Sequence, residues 1–97
     1  MERLYGVAAY SGSTVTWTPP RAAARLTVRD ALGTPKWEIA SPLGFTPPVT
    51  VGQPPAGAVE LTALSGAAAA GDEATVELVG TGRDGVPYTG SASATRL

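Results

Sequence analysis

Ninety-seven residues suffice for a single domain, and 1–97 reads as one unit without an internal linker. Seven basic residues stand against eight acidic ones, which removes the electrostatic case for nucleic acid or an anionic membrane as partner. There is no cysteine and no histidine, so a disulfide framework, a thiolate zinc site and the commonest general base are all excluded.

In chain order, period-two patterning dominates. Residues 3–10 form a first, weak strand candidate rich in Ala and Gly, closed by Ser11-Gly12-Ser13. Thr14–Thr18 then alternates cleanly, Val15 and Trp17 facing one way and three threonines the other. Arg25–Arg29 repeats the pattern around Leu26 and Val28, and after the breaker Asp30–Pro35 it returns in Lys36–Ile39. Each run pairs a β-branched or aromatic inner face with a polar outer one, as a strand wet on one side requires.

The stretch 41–57 carries two of the chain's three proline pairs, Pro47-Pro48 and Pro54-Pro55, and reads as one long connection between sheets. Proline lacks the ladder N–H and marks crossovers and edges. Val49–Val51 is a short edge strand inside it, and the prolines bar a membrane-spanning helix from the uncharged run Ile39–Val59. Val59–Thr62 and Ala74–Leu78 alternate again, and 87–95 is a last, weaker candidate reached through the Asp84-Gly85 hairpin signal. Ala67–Ala70 allows at most a single helical turn. About seven short strands at this spacing predict an all-β, two-layer antiparallel sandwich, with a small barrel as the alternative.

The search for chemistry is nearly empty. Gly66 and Gly71 have the spacing of a phosphate-binding loop, but Asp72 stands where a lysine is needed. Asp72, Glu73 and Asp84 do not amount to a calcium loop. Glu38, Glu60 and Glu77 fall on polar strand faces, where cross-strand pairs with Arg25, Arg29 or Lys36 are expected. Lys36 is expected on such a face too, and serines have no histidine to activate them. The expectation is a chain without catalytic, cofactor or metal residues.

Trp17 and Trp37 alternate with Val15 and Ile39 and are expected in the core. Tyr5, Tyr10 and Tyr88 lie in the weakest strands beside Gly and Ala, and with Phe45 they are the candidate interface residues. Seventeen residues are alanine, so the core is thin and predicts a marginal monomer that gains stability from neighbours, as a homo-oligomer or on a lattice. Residues 1–48 carry five basic against three acidic side chains and residues 49–97 two against five, a dipolar split compatible with association between copies.

Val59–Leu64 followed by Ala69–Gly85 resembles the back half of immunoglobulin-like domains of phages and bacteria: strand, small-residue turn, strand, Gly- or Asp-containing hairpin, final strand. The chain departs from better-known relatives in having no cysteine pair and no tyrosine just before Ala74–Leu78. The resemblance implies a module rather than a reaction. Such domains decorate the heads and tails of double-stranded DNA phages and also serve in adhesins and extracellular enzymes. With no basic-then-apolar leader after Met1, the expectation is a virion component assembled in the host cytoplasm, docked on major structural subunits through small-residue faces and the proline-rich segment 41–57, with Tyr5, Tyr10, Phe45 and Tyr88 as candidate interface residues. The competing expectation is a cell-surface or secreted module binding carbohydrate or protein.

Overall fold

The computed structural model describes residues 7–18, 22–81, 85 and 87–97, with the backbone alone at 81 and 87–89. Strands β1 (Val7–Ser11) and β2 (Thr14–Thr18) form the hairpin that the alternation predicts. Ser11 pairs Thr14, so the turn has two residues, and Gly12 takes the first at φ 60°. Such a turn matches the right-handed twist of the strands and calls for glycine there. β2 also pairs β5 (Val49–Thr50), completing a three-stranded sheet in the order β1-β2-β5.

The second sheet has five strands. β3 (Ala23–Arg29) and β4 (Pro35–Phe45) meet through the turn at 30–34, where Asp30 Oδ1 accepts the Leu32 and Thr34 N–H groups. β6 (Val59–Thr62) pairs β4, β7 (Glu73–Thr81) pairs β3, and β8 (Pro87–Thr95) pairs β7, giving the order β6-β4-β3-β7-β8. Every pairing is antiparallel. The two sheets pack as a β-sandwich, and of the sequence alternatives the barrel is set aside.

The core is built from the predicted inner faces: Val15 and Trp17 from one sheet meet Leu26, Val28, Trp37, Ile39, Val76 and Leu78 from the other. Trp17 meets Phe45 edge-on across the layers, ring centroids 6.0 Å apart and planes at 81°.

The segment 41–57 is not a single connection. β4 runs on to Phe45, which pairs Ala23, whereas Ala40 pairs Arg25. Between these pairs β3 carries only Ala24 and β4 carries Ser41–Gly44, so β4 bulges by several residues and then rejoins the sheet. Gly44, at φ 79°, supplies the bend. Pro42, which lacks a ladder donor, falls inside the bulge where none is needed.

Candidate functional site

Two places concentrate chemistry or exposed apolar surface. The first is a buried polar knot at the sandwich end where β4 and β7 begin. Lys36 Nζ donates to Asp72 Oδ2 at 2.8 Å and to the Ala67 carbonyl at 3.1 Å. The same carboxylate oxygen accepts the Ala69 N–H at 3.0 Å. Burial pushes the Asp72 carboxyl up, but the hydrogen bonds from Lys36 and Ala69 and the charges of Lys36 and Arg96 outweigh it and hold the group below its ordinary value. Lys36, expected on a wet strand face, is therefore buried. The ion pair compensates its desolvation.

Arg96 ties the chain's last strand into the same end. Its N–H donates to the Asp72 carbonyl at 2.8 Å, its carbonyl accepts the Gly71 N–H, and its Nε donates to the Gly12 carbonyl at 2.6 Å. Tyr10 reaches this region from β1, and its buried hydroxyl has no hydrogen-bond partner among the described residues. Burial raises the Tyr10 pKa, the Asp72 charge raises it further, and Arg96 opposes them. The knot fastens β1, β4, β7, β8 and the 63–72 connection together. Lys36 Nζ and Asp72 Oδ2 are occupied by each other and by backbone.

No group of three or more metal-ligating side chains forms among the described residues. Asp72 points into the knot and Glu73 out to solvent, so the two cannot share a cation; Asp84 lies outside the described residues. On the outer sheet face Arg25 donates to Glu38 at 2.8 Å and stands 3.8 Å from Glu77. These are the cross-strand pairs expected there. Glu60 accepts the Trp37 indole N–H at 2.6 Å, which lets that ring be fully buried.

Of the candidate interface residues, Tyr10 and Phe45 are corrected: they are 5% and 6% exposed and belong to the core. Tyr10 sits opposite Val15 and joins the buried cluster to which β8 contributes Ala92 and, at its margin, Ala94. Phe45 is drawn in against Trp17. Tyr5 lies outside the described residues, as does the Tyr88 side chain.

The second place lies partly in the segment 41–57 expected to dock, but neither Leu43 nor the recess is singled out by the sequence. Leu43 is 90% exposed at the tip of the β4 bulge. Beside it, an open recess of about 450 Å³ is lined by Ala24, Glu77, Leu78, Val79, Gly90 and Ser91. Pro42 and Gly44 flanking an apolar residue were its only signal, and they read equally well as loop punctuation.

No family model, no curated protein and no solved structure matches the chain.

Proposed function

We propose that this chain is a non-catalytic docking module: a virion head-decoration or tail-accessory component that sits on a lattice of larger structural subunits. One observation carries the reading. A large apolar side chain, Leu43, is displayed on a bulge that is itself packed down onto Ala22 at the entry to β3, while the buried Lys36–Asp72 pair is consumed in holding the sandwich together. Apolar surface presented on a fixed backbone suits recognition of another protein surface. The strand order β8-β7-β3-β4 facing β1-β2-β5 supports the immunoglobulin-like resemblance, since it parallels the order G-F-C-C′ over A-B-E, while β6, which follows β5 in sequence and pairs with the far edge of β4, departs from that order.

The alternative is a carbohydrate-binding module. Stacking on a sugar ring needs an exposed aromatic face; among the described residues Trp17, Trp37, Tyr10 and Phe45 are buried, which leaves that role to Tyr5 and Tyr88, whose side chains lie outside them. The test is co-sedimentation of the purified chain with capsid or tail particles from the phage whose genome encodes it. Saturable binding that Leu43→Lys weakens is expected. A chain that never sediments with particles overturns the proposal.

A further inference from the structure

We infer that two copies of this chain associate about a two-fold axis, Leu43 of each seating in the other's recess beside Ala24, Val79 and Gly90. The inference deepens the docking reading above and rests on it for its biological setting, but its geometry stands separately.

The knob and the recess adjoin the same residue. A Cβ built on Gly44 would lie 2.9 Å from the Ala22 Cβ, so the Leu43 bulge is pressed against Ala22 from one side. On the other side the Val79 N–H donates to the Ala22 carbonyl at 3.1 Å, and Val79 is a wall of the recess. Protrusion and depression thus lie next to each other at one end of the sandwich. A two-fold rotation through this region exchanges them, so that each contact is made twice and the assembly closes at two. Neither feature is satisfied within one copy: Leu43 is 90% exposed and Val79 remains 38% exposed.

The charges fit the same operation. Arg25 pairs with Ala40 just before the bulge, and Glu77 lies on the rim of the recess. Arg25 gives its close bond to Glu38 and leaves Glu77 at 3.8 Å, with the Glu77 side chain 60% exposed. A second copy therefore meets a rim that carries both an acidic and a basic side chain, Glu77 beside Arg25, rather than charges of a single sign. With a net charge of −1, long-range repulsion between copies is small. The recess accepts a branched aliphatic side chain because Ala24, Gly90 and Ser91 are small and the β3 irregularity between Ala23 and Arg25 opens the surface there.

Sedimentation velocity and light scattering of the purified full chain, from about 10 μM to about 1 mM, test the inference in the range where a small interface is populated. A reversible monomer–dimer equilibrium that stops at two is expected. Leu43→Lys, which removes the knob, and Ser91→Phe, which fills the recess, each weaken it at least tenfold. Leu32→Lys alters an equally exposed leucine in the turn at the other end of β3 and β4 and leaves the equilibrium unchanged. Circular dichroism confirms that each variant folds; should Leu43→Lys fail, Ser91→Phe carries the comparison alone. A monomer throughout, growth beyond two, dimerisation untouched by either interface variant, or equal loss in Leu32→Lys overturns the inference. A monomer that still sediments with particles refutes only the dimer, whereas a dimer that ignores particles refutes only the docking reading.

Discussion

Lys36 Nζ and Asp72 Oδ2 lie 2.8 Å apart with both side chains buried, joining the start of β4 to the start of β7 across 36 positions of sequence. Removing one partner leaves the other charge uncompensated in the interior. Asp72→Ala is expected to cost about 3–5 kcal/mol, a large share of the stability of a domain this size. Lys36→Met should cost less, because the Ala69 N–H still satisfies the carboxylate. Urea unfolding of both singles and the double variant gives the coupling, expected at about 1 kcal/mol or more. Additive losses would mean that the pair holds nothing together.

The depressed Asp72 pKa makes that stabilisation pH-dependent, with a definite sign. A carboxyl whose folded pKa lies below its unfolded value of about 3.9 contributes fully above that value and loses the contribution as pH falls through the folded pKa. Unfolding free energy should therefore drop as pH falls below about 4. Asp72→Asn, which cannot titrate there, should show a shallower drop over the same interval. An identical slope in wild type and variant would assign the acid sensitivity to the other carboxylates.

Tyr10 buries its hydroxyl without a partner among the described residues, and its pKa is raised by burial first and by the Asp72 charge second. An unsatisfied buried hydroxyl costs about 1–3 kcal/mol, so Tyr10→Phe should be neutral or stabilising in urea unfolding. Because a raised tyrosine pKa favours the folded state below about pH 10 and ceases to do so above it, the variant should also resist alkaline unfolding better than the wild type. A loss beyond about 1 kcal/mol would instead mean that the hydroxyl is bonded.

How much of this was legible in the sequence depends on whether the relevant neighbour is local. The strands at 14–18, 25–29, 59–62 and 74–78 announce themselves because alternation is written within five or so residues, and Trp17 and Trp37 inherit their burial from it. Lys36 breaks the pattern because what buries it is Asp72 in a distant connection, and no local spacing encodes that pair. Tyr10 and Phe45 were misplaced for a related reason. A strand of alanines and glycines looks too weak to hide an aromatic ring, yet Tyr10 joins a buried cluster to which the alanine-rich β8 also contributes Ala92. The β4 bulge was invisible because Pro42 and Gly44 signal an interruption without saying that the strand resumes at Phe45. Leu43 consequently read as part of a connection rather than as a displayed side chain.

Gly44 is the hinge on which that display depends. It adopts φ 79°, and a Cβ there would lie 2.9 Å from the Ala22 Cβ, closer than packed carbons tolerate. Gly44→Ala thus meets two penalties, a left-handed backbone and a clash with Ala22, together about 2–3 kcal/mol. Gly33 offers the comparison: it has nearly the same φ, 85°, with nothing within 4 Å of its Cβ position. Gly33→Ala should therefore lose only the backbone part, about 1 kcal/mol. Urea unfolding of the two variants measures the difference. If they lose the same amount, the bulge is not pressed onto Ala22, and Leu43 is not held in the fixed position that docking requires.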